Sequence, residues 1–342
     1  MKQIIECVPN ISEGRNQSII NNIVSSSNNI ENAKIVDVDS GYDTNRTVIT
    51  IVGEPEAVLK CAYNIINKSL ELINLNKHTG THARMGATDV CPIIPIENIS
   101  MDECIELSKK LGKDVAEKLN LPVYLYEKSA LSKERINLAN IRKGEFELMH
   151  AKIKEKKWKP DYGKASIHPT GGVIAIGARN FLVAYNINLN TMDKKIASDI
   201  ALDIREAGRA KRDKNGKIIR DKNGKIVKVP GTLKETKAVG WFLDEHKISQ
   251  VSMNLVNIEV TSIHMAFEEV REQARKRGVR VTGSEIVGLV PQDAIIKAGN
   301  FYLNKQKRTK GIPEDDIIKV AIMSLGLNDI SNFDMEEKII ER

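Results

Sequence analysis

Two α+β halves of the same build are what this sequence predicts, on three observations. The order strand–helix–strand–strand–helix–strand can be read off the first part of the chain, a like order returns after residue 180, and a Gly- and Pro-rich stretch lies between them. This is the order of the split βαβ or ferredoxin-like unit, in which helices cover one face of an antiparallel sheet. A length of 342 residues suits one large domain or two moderate ones, at about 100–200 residues per domain. A composition 41% hydrophobic and 28% charged is that of an ordinary globular protein.

The first half opens with a strand at residues 3–8, a turn-rich PNISEGR, and an Ile-rich helix over about residues 16–27. Alternation in AKIVDVD and in NRTVITIVG gives two strands on either side of the turn SGYDT. Past Pro55, the residues Val58, Leu59, Ala62, Ile65, Ile66 and Ile73 recur at the 3.6-residue period of one buried helical stripe. DVCPIIPI is a short apolar strand. Cys104, Ile105, Ser108, Leu111, Val115 and Leu119 outline the next helix, before the strand PVYLYE.

The second half reads in the same way. GVIAIGARNFLVAYNINL is taken as strand, TMDKKIASDIALDIREAG as a helix with Thr191 as N-cap, and AVGWFLDE and QVSMNLVNIEV as paired strands. IHMAFEEVREQARKRG is then helix and VRVTGSEIVGLV strand. The stretch GEFELMHAKIKEKKWKPDYGKASIHPTGG, charged and then rich in Gly and Pro, reads as a linker entering a long loop. The predicted units are therefore residues 1–180 and 181–330, with 331–342 a charged tail after one short further helix. Within the second unit the tandem RDKNGKI, at residues 212–218 and 220–226, reads as an exposed β-arm, each Asn-Gly suiting a tight hairpin turn.

Composition excludes several functions. No run approaches the roughly 18 apolar residues of a membrane span and the start lacks a secretory signal, so a cytoplasmic protein without membrane contact is expected. Cys7, Cys61, Cys91 and Cys104 are scattered without a C-x-x-C pair, which reads as buried free thiols. The excess of 52 Lys and Arg over 45 Asp and Glu favours anionic partners in general, and much of it is local to residues 209–237. Aromatics at 4% do not interleave with a basic stripe, so no nucleic-acid partner is expected.

The densest group of reactive side chains is HTGTHARMGATDVCP, which sets His78, His82, Arg84 and Asp89 between a helix and a strand. A loop held by rigid elements is where catalytic groups tend to sit, and imidazole titrates close enough to neutrality to take and return a proton. Metal binding is the chemical rival, because His78 and His82 stand four apart, but Gly80 and two threonines make a poor helix and Thr79 occupies the Glu position of H-E-x-x-H. No metal is therefore expected. A histidine that merely caps or fills is the remaining alternative. Neither a G-x-S-x-G elbow nor a Walker-type phosphate loop is present.

Taken together, ECVPNISEGR at 6–15, NRTVITIVG, HTGTHARMGATDVCPIIPI, GARNFLVAYNINL and VSMNLVNIEVTSIHMAFEEV resemble the formiminotransferase domain of glutamate formimidoyltransferases, in order and over about residues 3–305. The resemblance implies transfer of a formimino group from N-formimino-L-glutamate to tetrahydrofolate, in histidine degradation and one-carbon metabolism, by a homodimer of two ferredoxin-like subdomains. Tetrahydrofolate, with or without a polyglutamate tail, is then a co-substrate. The family's catalytic histidine in H-x-G-x-H-P-R-x-G-A falls on His82. Its folate-contacting loop between the subdomains falls on Gly163, Lys164, Ala165, Ser166, Ile167, His168, Pro169, Thr170, Gly171 and Gly172. Ala83 stands where many members have Pro, and IHPTGG where the animal enzymes carry a Trp-containing stretch. No sign of the cyclodeaminase domain fused behind this one in the animal enzymes is seen, which implies the monofunctional form.

That reaction is an addition–elimination at an amidine carbon, so His82 is expected to act as general base and then general acid, with Asp39 or Asp89 orienting its other ring nitrogen. Both substrates carry carboxylates, which makes Arg84, Arg179 and Arg46 candidate partners. Gly171, Gly172 and Gly177 are read as close-approach or turn positions. Formyl transfer from N-formylglutamate, action on 5-formyltetrahydrofolate, and a non-catalytic folate-binding protein remain open on sequence alone.

Overall fold

In the computed structural model, which describes residues 2–341, the first unit ends at Phe181. It runs β1 (Ile4–Cys7), β2 (Asn10–Ile11), α1 (Gln17–Ser25), β3 (Ala33–Gly41), β4 (Arg46–Gly53), α2 (Pro55–Leu72), β5 (Thr88–Glu97) and α3 (Met101–Leu119). Then follow β6 (Val123–Leu125), α4 (Lys133–Ile136), α5 (Leu138–Arg142), α6 (Glu145–Lys152) and β7 (Ile174–Ala178). β1 and β2 are one strand broken around Pro9, which has no N–H for a ladder, and both pieces pair antiparallel with β4 and β5. With β3 on the far side of β4, the order β3–β4–β1/β2–β5 is that of a βαββαβ unit. β7 then extends the sheet in parallel with β5, and β6 in parallel with β7. The helices cover one face, where Cys7, Ile49, Ile51 and Ile93 of the sheet meet Ile65, Ile66 and Val115. All four cysteines are buried and free, with the Cys7 and Cys91 sulfurs 3.5 Å apart.

The second unit repeats this architecture. It comprises β8 (Val183–Leu189), α7 (Lys194–Ile204), β9 (Arg209–Ala210), β10 (Lys228–Val229), β11 (Thr236–Leu243), β12 (Ile248–Leu255), α8 (Ile263–Lys276) and β13 (Val281–Val287), then α9 (Gln292–Lys305), α10 (Glu314–Leu325) and α11 (Met335–Lys338). Its antiparallel sheet runs β11–β12–β8–β13, the same order of first, second, third and fourth strands as in the first unit. Both halves are thus α+β units of the ferredoxin-like kind.

Four sequence expectations are corrected. The run GVIAIGARNFLVAYNINL is two strands in two sheets, because residues 174–178 pair with β5 and β6 whereas β8 pairs with β12 and β13. The charged stretch read as a linker starts with α6, whose Phe146 and Met149, with Ile153 after it, form a buried stripe of the first unit beneath a charged outer side. Asp193, not Thr191, caps α7: its carboxylate accepts from the Lys195 N–H, while the Thr191 hydroxyl accepts from Asp193 N–H. Past β13 come two helices of 14 and 12 residues, and the expected tail is docked, since Ile339 is buried and Val290 donates its N–H to Lys338 O and accepts from Ile340 N–H.

The tandem RDKNGKI forms twin exposed turns. In each, an aspartate (Asp213, Asp221) accepts from two backbone N–H groups of its own turn and an arginine (Arg212, Arg220) donates to a glycine carbonyl. Between Arg209 and Lys228 nine basic residues face two acidic ones, so the arm carries the whole of the chain's +7.

Strand alternation that turns Cys7 into the helix-covered core turns Glu6 to the other face, where it is 3% exposed. Burial pushes its carboxyl up to about 7, against the opposing pull of Arg179. A carboxyl whose folded value is raised contributes most stability below its unfolded value, near 4.5, and that contribution is lost as pH rises through about 7. Glu6→Gln is therefore expected to gain stability over the wild type between pH 4.5 and pH 8, by about 3 kcal/mol in urea unfolding. An equal difference at both pH values would show that Glu6 titrates normally.

Candidate active site

The loop that carries the histidines leaves α2 through a short 3-10 turn and is fastened to the β3–β4 turn. Asn45, in the left-handed region at φ 48°, does much of this: its side-chain amide donates to the Thr79 carbonyl, its side-chain oxygen accepts from Gly14 N–H, and its carbonyl meets His78 Nε2 at 2.8 Å. Thr81 N–H donates to Asp43 O. Gly80 is required by this close approach, since a Cβ there would lie 2.4 Å from the Thr44 carbonyl oxygen. From the other side Ser12 donates its hydroxyl to Gly86 O and its N–H to Ala87 O.

At the head of β5, Asp89 is completely buried. Its Oδ1 accepts from Met85 N–H at 2.8 Å, and its Oδ2 accepts from Arg46 Nη1 at 2.9 Å and from Arg142 Nη2 at 2.6 Å. Burial alone raises such a carboxyl, but Arg142 and Arg46 outweigh it and hold Asp89 well below the usual carboxylate range. Arg46 is further fixed by Asn10, whose side-chain oxygen accepts from Nε and Nη2.

His82, half-buried, lies within the field of this cluster. Its Nδ1 is 2.7 Å from the Ala83 carbonyl, which can only accept, so Nδ1 carries the proton and Nε2 the lone pair. The Ala83 carbonyl is thus an acceptor that orients the ring through Nδ1. Burial first, then Arg46 and Arg142, depress the imidazole well below its ordinary value, only partly offset by Asp89.

His78 is built differently. With Nε2 donating to Asn45 O and Nδ1 accepting from Arg84 Nε at 3.1 Å, both of its nitrogens are spoken for, so it offers no lone pair to a metal or a substrate. Arg84 in turn is gripped by Glu147 through two bonds of 2.6 and 2.8 Å and by Glu145 at 3.2 Å. Its guanidinium ties α6 to the histidine loop. Among the described residues, no group of three or more His, Cys, Asp or Glu is placed to hold a metal ion.

The segment 163–172 meets the same loop. Leu75 N–H donates to Thr170 O, Ala87 N–H to Gly171 O and Val173 N–H to Met85 O, and Asn76 donates its side-chain amide to Pro169 O. Gly172, at φ 68°, allows this, since a Cβ would stand 2.1 Å from the Met85 carbonyl oxygen. His168 accepts from Gly171 N–H through Nδ1 and closes a tight turn, while Gly163, Lys164, Ala165 and Ser166 are exposed. Asp39, on β3 opposite Val48, shares a sheet face with Arg46. Arg179 stands apart from that cluster in its contacts: it neighbours Glu6 and Tyr126 and donates to Asn180 O.

Reading the sequence missed Arg142, Asn10, Asn45 and the Glu145–Glu147 pair. Arg142 sits in IRKGE, where neighbouring charges resemble a solvated surface, and only its partner Asp89 reveals it.

Fold and site together define a class: a protein of two βαββαβ units in which an imidazole with a depressed proton affinity sits beside a buried cluster of Asp89 and two arginines. Comparison with known families is specific. Residues 4–179 match the formiminotransferase domain, N-terminal subdomain, and residues 184–342 the formiminotransferase domain, so the chain belongs to the formiminotransferase family. It is 42% identical to a glutamate formimidoyltransferase of Streptococcus pyogenes serotype M1 over 89% of this chain and 94% of that one. It is 38% identical to one of Thermoplasma acidophilum over 92% and 96%. A formimidoyltransferase-cyclodeaminase of Dictyostelium discoideum is 43% identical over the whole of this chain, which spans 60% of that protein's length.

Replacing Asp89 by Asn leaves two guanidiniums facing a neutral amide in a buried site, and is expected to cost about 3–5 kcal/mol of stability in urea unfolding. A cost under about 1 kcal/mol would mean that the arginines find another counter-charge.

Proposed function

We propose that this chain transfers the formimino group of N-formimino-L-glutamate to tetrahydrofolate, giving 5-formiminotetrahydrofolate and L-glutamate in histidine degradation. Membership of the formiminotransferase family supports the substrates. The observation that carries the mechanism is the bond from His82 Nδ1 to the Ala83 carbonyl, which puts the ring proton on Nδ1 and makes Nε2 the basic nitrogen. Nitrogen-5 of tetrahydrofolate attacks the amidine carbon and its proton passes to Nε2. The tetrahedral intermediate then breaks its bond to the glutamate nitrogen, and the imidazolium returns the proton to that departing amine. No proton is gained or lost overall. The arginines beside His82 weaken its hold on the proton and so favour the second transfer, while its low ordinary affinity keeps the resting group neutral. The loop at 163–172, bonded to the histidine loop, is the reading's folate-contacting segment, and a cytoplasmic homodimer is part of the same reading.

The test is a spectroscopic assay of tetrahydrofolate with N-formimino-L-glutamate and, in parallel, N-formyl-L-glutamate. Turnover of the first donor alone is expected. Turnover of the second alone makes this a formyltransferase, and binding of folate without turnover of either makes it a folate-binding protein. His82→Ala is expected to lower turnover by about 10²–10⁴-fold with folate affinity little changed, as for loss of a positioned acid–base group. His78→Ala should cost turnover far less. A folded His82→Ala protein within about threefold of wild type would leave positioning of the two substrates as the source of catalysis.

A further inference from the structure

Of the arginines Arg46, Arg84, Arg142 and Arg179, the first two have all their side-chain nitrogens bonded to protein partners. Arg46 serves Asn10 and Asp89, Arg84 serves His78 and two glutamates, and Arg179 neighbours Glu6 and Tyr126. Arg142 differs. Its guanidinium bonds Asp89 Oδ2 through Nη2, its Nε is buried without a hydrogen-bond partner, and its side chain keeps 17% exposure. The residue is nonetheless held firmly, because it ends α5, and Lys152 Nζ donates to the carbonyls of Asn140, Ile141 and Lys143 on either side of it.

The charges do not close either. Asp89 is one carboxylate shared by two guanidiniums, and Arg46 already satisfies it together with Met85 N–H. A second buried cation on the same oxygen is costly unless another anion completes the site. In a formimino-glutamate donor the α-carboxylate is borne by the carbon attached to the departing nitrogen. A group that brings this nitrogen to His82 therefore brings that carboxylate within a few bonds of it.

We propose that Arg142 is the specificity-determining residue that receives the α-carboxylate of the glutamyl donor, through the N–H groups that Asp89 leaves open. The assignment rests on the formimino-transfer reading for the identity of the donor. Arg46 and Asp89 act as positioning residues: they fix the guanidinium plane so that it faces the donor rather than rotating into solvent.

The experiment compares wild type, Arg142→Lys and Arg142→Gln with two donors, N-formimino-L-glutamate and the formimino derivative of 4-aminobutyrate, which lacks the α-carboxylate. Circular dichroism and thermal unfolding check the fold. The wild type is expected to prefer the glutamyl donor in kcat/KM by about 10–100-fold, the worth of a charge-assisted pair. Arg142→Gln should lose that preference, mainly through KM for the donor, with KM for tetrahydrofolate within about threefold of wild type. Arg142→Lys should regain part of it. A merely structural arginine would lower both donors alike, so an undiminished preference in Arg142→Gln overturns the inference. Calorimetric binding of L-glutamate and 4-aminobutyrate gives a readout without turnover. If the wild type transfers nothing but binds glutamate in an Arg142-dependent way, the transfer reading fails and the carboxylate site stands. If both variants bind the two amino acids as wild type does, the site falls.

Discussion

The site depends on one buried carboxylate. Asp89 lies where the histidine loop turns into β5, and its two oxygens tie together three pieces of chain distant in sequence: the loop itself through Met85 N–H, the start of β4 through Arg46, and the end of α5 through Arg142. A buried carboxylate is tolerated only if its lone pairs and charge are met, and here both are. The cluster in turn sets the field in which His82 sits. Burial first, and then two guanidiniums set against one carboxylate, hold the imidazole well below its ordinary value, so it stands neutral near neutral pH.

The two histidines of HTGTH show how backbone contacts decide chemistry that spacing cannot. Both are in one loop and of one type, yet His78 meets the Asn45 carbonyl through Nε2 and Arg84 through Nδ1, whereas His82 meets the Ala83 carbonyl through Nδ1. The first is a structural strut between Asn45 and Arg84. In the second the bond from Nδ1 places the ring's lone pair on Nε2. The same sorting applies to the arginines, where Arg84 is drawn into the fold by Glu145 and Glu147.

Much of the architecture was legible because periodicity reports burial directly: the stripe of α2, the alternation of β3 and β4, and the repeated element order all reappear in the fold. What misled was composition taken over too long a window. The apolar run at 173–189 hides a change of sheet, since a buried strand of either unit looks the same in one dimension. The charged stretch after residue 144 masks the spaced apolar residues Phe146, Met149 and Ile153. In the site, His82 and Asp89 stood out because they lie in one short motif. Arg142 and Asn10 did not, because their meaning comes from a partner far away in sequence.

The central claim is that His82 rests as a neutral imidazole with its proton on Nδ1. Nitrogen-15 NMR of histidine-labelled protein, with His82 assigned by its absence in His82→Ala, reads both the tautomer and the titration. The account predicts a protonated Nδ1 and an unprotonated Nε2 at pH 7, with protonation of the ring only below the ordinary imidazole range. A His82 that is cationic at pH 7, or that carries its proton on Nε2, would contradict it.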